Sequence, residues 1–284
     1  MKMSKAFPPI LLSGMHRSGT SMVTKILKDF SLEVGHKLDD NNESLFFQRI
    51  NIWMMSLMGS SWDNPQTFNS INVEIKDDIL CQLQKLIDSR ANSLYFGWSN
   101  VIKNKSFSDI EKPWGWKDPR NVFTQNIWRE VFPDTKMVQI IRHPVDIAVS
   151  LMNRQKKEIK SDMLRKKKSS NVIKALLSIS HSNYNSSMVL NSYNDCFKLI
   201  EIYFDEITRN SCSNTLLIKF EDILSNAEFE IGSLLDFCSI PYNPEQLSEI
   251  ISTIDPTKGF SYKANPKYLD LENQAKNLIF KMGY

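Results

Sequence analysis

The chain reads as an α/β protein: a parallel sheet covered by helices on both faces. Three observations carry that reading. Apolar strand-like runs recur at Ile10–Leu12, Met137–Ile141 and Thr215–Phe220, each followed by a helical pattern. Two of those transitions carry turn or helix-start residues, with glycines at 14 and 19 and a proline at 144. The alternation of strand and helix, with no internal repeat, favours parallel pairing with crossover helices.

The stretch from Pro9 to Phe30, PILLSGMHRSGTSMVTKILKDF, is the first such unit. Ile10, Leu11 and Leu12 suit a buried strand. Ser13 to Gly19 forms a glycine-bounded loop, and Met22, Val23, Ile26, Leu27 and Phe30 recur at helical spacing. A strand, a glycine loop and a helix N-terminus make an anion cradle, because loop amides and the positive helix end face the same point. The loop differs from the nucleotide-triphosphate motif G-x-x-x-x-G-K-[ST]: Gly14, Gly19 and Ser21 match, but Thr20 replaces the lysine. That lysine serves phosphoryl transfer, so its absence argues against an ordinary kinase or ATPase. Arg17 supplies the nearby cation. The alternative for the loop alone is a tight turn with an incidental arginine.

The remaining elements follow in order. The polar stretch HKLDDNNES, 36–44, favours turns, and Ser44 is placed to cap a helix running to Met58. Gly59 to Asn69 reads as loop, and Ile75 to Ile87 as an amphipathic helix. KPWGWKDPR, 112–120, suggests a short strand and turn. Asp118-Pro119 then predicts a helix start, with the helix ending near Phe132. His143-Pro144 begins another helix, with Val145, Ala148, Val149 and Met152 on one face. Lys and Arg crowd positions 154–168, which reads as a solvated helix end; the sharper reading is a surface attracting an acidic acceptor. Ser and Asn dominate 169–194. Further helices are expected over Phe197–Ile207 and Phe229–Cys238, with turns and a short helix in the tail.

Composition bounds the function. The 284 residues suffice for one large domain; 42% are hydrophobic and 24% charged, which supports a packed core. A net charge of +3 does not suggest a nucleic-acid partner. Cysteines at 81, 196, 212 and 238 form no C-x-x-C pair, so no zinc or redox site is expected. The N-terminus, interrupted by Pro8 and Pro9, does not read as a signal peptide, and no run of apolar residues is long enough to span a membrane. The default expectation is a cytoplasmic protein.

A second constellation lies in VQIIRHPVDIAVSL, 138–151. Arg142 ends a predicted strand and Ser150 lies about two turns into the next helix. Strand carboxyl ends carry the ligand crevice in such sheets, so Arg142 is expected on the same edge as the Gly14–Ser21 loop. Two anion-binding elements on one edge suit a ligand with two separated phosphate groups. Singly, Arg142 and Ser150 read equally well as an ordinary strand-end arginine and helix serine.

Here the chain resembles the sulfotransferases that use 3′-phosphoadenosine 5′-phosphosulfate as donor. The resemblance rests on GMHRSGTS at 14–21, WKDPR at 116–120, IIRHPVDIAVS at 140–150 and, more weakly, IKFEDIL at 218–224. The arginine in the first loop is closer to carbohydrate and tyrosylprotein sulfotransferases than to the cytosolic ones, which carry lysine there. The resemblance implies a P-loop nucleotide-kinase-like fold; the chain is expected to form a single domain, 1–284, and its composition places a basic insertion around 154–194. The resemblance also implies that Arg17, Ser18, Gly19, Thr20 and Ser21 hold the 5′-phosphosulfate. Arg142 and Ser150 match the residues that bind the 3′-phosphate, and Lys117 a lysine that stabilises the transferring sulfuryl group. No metal is expected, since fixed amides and cations suit this transfer. For the base, Glu43 is the first candidate and His16, which titrates near neutrality when unperturbed, the second. Many relatives carry Phe-Glu in this region, whereas Phe47 is followed here by Gln48. For Glu43 the alternative is a carboxylate placed by a helix dipole. The expected acceptor is a hydroxyl, on a carbohydrate or a small metabolite. Rival readings are a kinase with a divergent P-loop and a non-catalytic nucleotide-binding relative.

Overall fold

The structure is a computed structural model and describes residues 7–99, 106–166, 187 and 189–284, the side chains of 161–166 excepted. Most of the expected Ser- and Asn-rich stretch and the end of the basic run therefore lie outside the described residues. Strand β1 (Ile10–Gly14) leads through the glycine loop into α1 (Thr20–Asp29). Helices α2 (Leu45–Leu57), α3 (Val73–Ile87) and the short α4 (Ser93–Phe96) follow, then β2 (Gly115–Lys117) and α5 (Asn121–Val131). Strand β3 (Lys136–Ile141) enters α6 (Pro144–Lys166), and α7 (Tyr193–Arg209) precedes β4 (Thr215–Lys219). Helices α8 (Phe220–Ser225), α9 (Ala227–Cys238) and α10 (Pro244–Ser252) come next, with α11 (Leu271–Gln274) and α12 (Lys276–Lys281) in the tail.

All four described strands pair in parallel in the order β2-β1-β3-β4. Side chains alternate across a strand, so β1 and β3 each feed two cores. Leu11, Met137 and Ile141 join the apolar layer made with α2, α3, α5, α6 and α7. Ile10, Leu12, Val138 and Ile140 join the layer made with α1, α8, α9 and α10. Burial on both faces explains why these strands read as continuous apolar runs rather than alternating ones. The predicted three-layer α/β architecture is the observed one.

The chain departs locally from expectation. Ser44 stands at the N-cap of α2, but its side chain makes no capping bond. Helix α3 starts earlier than Ile75 because Asn72 caps it, accepting from the Ile75 N–H at 2.8 Å. Asp118 does not open α5 as its cap: one carboxylate oxygen accepts from the Arg120 N–H and the other from Asn51, and the helix begins at Asn121. On α6 the buried face is Val145, Ile147, Ala148 and Leu151; Val149 and Met152 are only partly covered. Helix α7 starts four residues before Phe197, at a capping box in which Ser192 and Asp195 satisfy each other's backbone N–H.

The carboxyl ends of β1, β2 and β3 converge, since β2 and β3 flank β1 on opposite sides. This is a switch point of an open α/β sheet, where ligand crevices form. Behind β3, His143 is buried, stacked on Tyr262 with ring centres 5.0 Å apart and edge-on to Tyr284 at 5.2 Å. Burial outweighs the carboxylates of Asp146 and Glu272 and lowers its pKa to about 4 from an ordinary 6.5. Between those values the unfolded chain binds the extra proton, so this histidine's contribution to stability rises with pH across the window. Thermal melts from pH 7 down to about 4 should therefore show a falling Tm, and His143→Phe should fall less steeply. Parallel curves for the two proteins would remove His143 as a cause of the acid sensitivity.

Candidate active site

The loop between β1 and α1 is shaped by close approach. Gly14 has φ +147, and a side-chain carbon there would stand 2.2 Å from the Ile140 carbonyl oxygen. Gly19, at φ +96, would drive one to 2.2 Å from the Phe220 ring. Both positions require glycine. Between them, Arg17 holds a left-handed backbone at φ 73, a conformation that costs a non-glycine residue about 1 kcal/mol or more. Its guanidinium reaches α6, where Nε donates to Ser150 Oγ at 2.8 Å. Partial burial and the nearby cations Arg154 and Arg142 push its pKa below the usual arginine value. The group is thus held where an anion would relieve mutual repulsion.

Arg142 leaves the end of β3 and stacks on Phe220, 4.6 Å from the ring centre. It pairs with Asp146 at 3.2 Å and donates to the Lys258 carbonyl at 2.7 Å. Asp146 also accepts from the Ser261 hydroxyl and the Tyr262 N–H, which ties the tail to the end of the third strand. Ser150, expected to share a phosphate with Arg142, accepts here from Arg17.

The end of β2 supplies Lys117, only 1% exposed, whose ammonium lies 2.9 Å from Glu43 Oε1. Glu43 comes from the loop before α2 and is 6% exposed at the side chain. Its second oxygen, Oε2, accepts from Gln48 Nε2 at 2.8 Å and lies 3.6 Å from Arg120 Nη1. Gln48 also donates to Asp39 at 3.2 Å, so the amide separates two carboxylates that a glutamate there would crowd. Burial first, and the Asp118 charge second, raise the Glu43 pKa against the opposing pull of Lys117, Arg120 and the Gln48 bond. Such a carboxylate is a stronger proton acceptor than an exposed one.

His16 also lines the cleft, edge-on to Trp62 at 4.7 Å, and its Nε2 has no hydrogen-bond partner. It does not titrate near neutrality as its type suggests. Burial, with Arg120, Arg154, Lys117 and Arg17 around it, pushes its pKa well below 6.5.

These residues border one cleft of about 1120 Å³. That volume lies at the upper end for a small-molecule site, about 1,000 Å³. Arg17, Gly19, Thr20, Ser21, Glu43, His16, Lys117 and Arg142 all line it; Ser18 is buried behind the loop, and Ser150 reaches it through Arg17. The sequence assigned no role to Arg120 or Trp62, and it marked Gln48 only as a departure from the relatives' glutamate. Arg120 was visible inside WKDPR. Arg154 opens the basic run but does not belong to a solvated surface, since it stacks over Trp62 at 4.6 Å. Lys156, Lys157 and Lys160 are exposed, as the solvated reading expects.

A family model described as the sulfotransferase domain matches residues 7–280. The chain belongs to the sulfotransferase domain family. Sulfuryl transfer is the chemistry that membership supports. Among solved structures, the sulfotransferase domain from the curacin biosynthetic pathway is 15% identical, covering 96% of this chain and 98% of that one, with a TM-score of 0.46. The sulfotransferase domain of the Synechococcus PCC 7002 olefin synthase is 12% identical over 100% and 97%, also with a TM-score of 0.46. Mouse sulfotransferase SULT7A1, complexed with PAP, is 14% identical over 91% and 67%, with a TM-score of 0.40. No curated protein matches the chain. Among the described residues no helix is long and apolar enough to cross a membrane, and no group of three or more His, Cys, Asp or Glu could hold a metal ion.

Proposed function

We propose that this sulfotransferase moves a sulfuryl group from 3′-phosphoadenosine 5′-phosphosulfate to a hydroxyl of a carbohydrate or small metabolite. The observation that carries the reading is the 2.8 Å bond from Arg17 to Ser150, which joins the first loop to the α6 element on one lip of one cleft. The residues fit such a donor. Gly14 and Gly19 have no room for a side chain, and Ser18 Oγ, His16 Nε2 and Arg142 Nε are buried polar atoms without partners. In this reading the loop 17–21 holds the 5′-phosphosulfate, and Arg142 with Ser150 holds the 3′-phosphate. The donor supplies the sulfuryl group and a phosphate leaving group. The hydroxyl at the magnesium position of a triphosphate P-loop is otherwise engaged: Ser21 Oγ donates to the Asn41 carbonyl at 3.2 Å.

Glu43 removes the acceptor's proton as the acceptor oxygen bonds to sulfur. The sulfur–oxygen bond to phosphate breaks, and its electron pair stays on the phosphate oxygen. Lys117 has three N–H donors and gives one to Glu43, leaving others for the sulfuryl oxygens. Loop amides and Arg17 stabilise charge developing on the leaving phosphate. The cleft is also lined by Ser56, Ser60 and Ser61, whose hydroxyls bond Trp53, Thr67 and Asp63, and by Asn64. A hydroxyl that is already bonded keeps acceptor capacity, which suits an acceptor bearing hydroxyl groups. A screen of hydroxyl acceptors with sulfur-labelled donor tests the activity itself; no transfer to any acceptor, with the donor bound, supports the non-catalytic reading.

Two outcomes follow. Glu43→Gln should lower kcat by about 10²–10⁴-fold, the usual worth of a general base, with binding of adenosine 3′,5′-bisphosphate essentially unchanged. His16→Ala should not show that pattern, because a buried neutral imidazole among cations is a poor base; if it alone does, the base is His16. The second outcome concerns the 3′-phosphate. Replacing Arg142 and Ser150 together by Ala should cost about 2–4 kcal/mol in calorimetric binding of adenosine 3′,5′-bisphosphate, and much less for a nucleotide lacking the 3′ group. A wild type with no preference for the 3′-phosphorylated ligand would return the kinase reading to first place.

A further inference from the structure

Behind the Glu43–Lys117 pair runs a buried polar chain that none of the donor or acceptor roles uses. Asn51 lies on α2, fully buried at 0% exposure, on a helix face otherwise lined by Phe47, Ile50, Met54 and Met55. Each of its polar atoms makes two bonds. Oδ1 accepts from Trp128 Nε1 at 2.8 Å and Thr124 Oγ1 at 2.9 Å. Nδ2 donates to Asn121 Oδ1 at 2.8 Å and Asp118 Oδ2 at 2.9 Å. An indole N–H can only donate and an ionised carboxylate can only accept, so the two ends of the amide are not interchangeable.

Asp118, also at 0% exposure, passes this order on. Its other oxygen, Oδ1, accepts from the Arg120 backbone N–H and from Arg120 Nη1, both at 2.9 Å. The same Nη1 is 3.6 Å from Glu43 Oε2, within ion-pair reach but beyond a hydrogen bond. Arg120 therefore faces two carboxylates and is bonded to one. Oε2 already accepts from Gln48 and keeps one further lone pair; were Arg120 released, its guanidinium would fall onto that lone pair.

We propose that Asn51 and Asp118 are a positioning pair that holds Arg120 off Glu43 and so reserves Oε2 for the acceptor hydroxyl. This rests on the assignment of Glu43 as the base. The groups around Glu43 are Lys117 from β2, Asp118 and Arg120 from the turn after β2, and Gln48 from α2 with Asp39 behind it; His16 from the first loop lines the same cleft, near Lys117 and Arg120. Of these, Asp118 is the charge that most opposes ionisation of Glu43, and Arg120 is the charge it restrains.

The test is a titration of the full chain with carbon-13-labelled glutamate, following the Glu43 carboxyl resonance identified by its loss in Glu43→Gln. Asp118→Asn keeps the shape and removes the charge, so the Glu43 midpoint should move to lower pH. Arg120→Met should move it to higher pH, and Asp118→Asn should then shift it much less in that background. Asn51→Leu should shift it in the same direction as Asp118→Asn and add little to it. Melting curves check folding; should the Asp118 variant not fold, the Arg120→Met result decides alone. A midpoint unmoved or raised in a folded Asp118→Asn, or unmoved in Arg120→Met, overturns the proposal. The readout needs no substrate. Failure of the base assignment would appear separately, as undiminished turnover in Glu43→Gln.

Discussion

The ion pair between Lys117 and Glu43 is the constraint on which the cleft depends. Both charges are almost wholly withdrawn from water, and neither is tolerable there without the other. Lys117 ends β2 and Glu43 lies 74 residues earlier in the loop before α2, so the pair fastens that loop to the sheet edge. Removing one partner alone strands the other, at a cost of about 3–5 kcal/mol. The pair is therefore structural and chemical at once. It lines the cleft and sets a proton acceptor and a cation side by side there.

Around that pair the three strand ends divide the work. The first loop brings backbone N–H groups and Arg17, the second strand brings Lys117, and the third brings Arg142. Their common edge is a consequence of strand order alone, since β1 lies between β2 and β3. Charge is arranged in the same way. Asp146 restrains Arg142, Asp118 restrains Arg120, and Ser150 takes the Arg17 Nε–H, so the cations are held apart in fixed positions. Preorganisation of this kind stabilises developing charge without reorganisation at the moment of reaction.

Much of this was legible in the chain. Glycines at 14 and 19 and the apolar run before them identify the loop, because a backbone in that conformation admits little else. Arg142 at a strand end followed from periodicity and the rule for open sheets. What could not be read was pairing across distance. Nothing local links Glu43 to Lys117, and nothing marks Asn51 in an apolar helix as a four-bond hub. The start of α5 was misplaced for the same reason: Asp118 looks like a cap until its second oxygen is seen bonded to Asn51. The base candidates were distinguishable only by environment. Burial raises a carboxylate's pKa and lowers that of an imidazole, so similar surroundings make Glu43 a better base and His16 a worse one.

The central claim is that Glu43 and Lys117 act as one unit in turnover. A double-mutant cycle on kcat, with Glu43→Gln, Lys117→Met and the double variant, addresses it directly. A shared unit predicts that the second substitution adds little once the first is made, with a coupling energy of about 1–3 kcal/mol. Losses that simply add, in folded proteins, would show two independent residues and contradict the account.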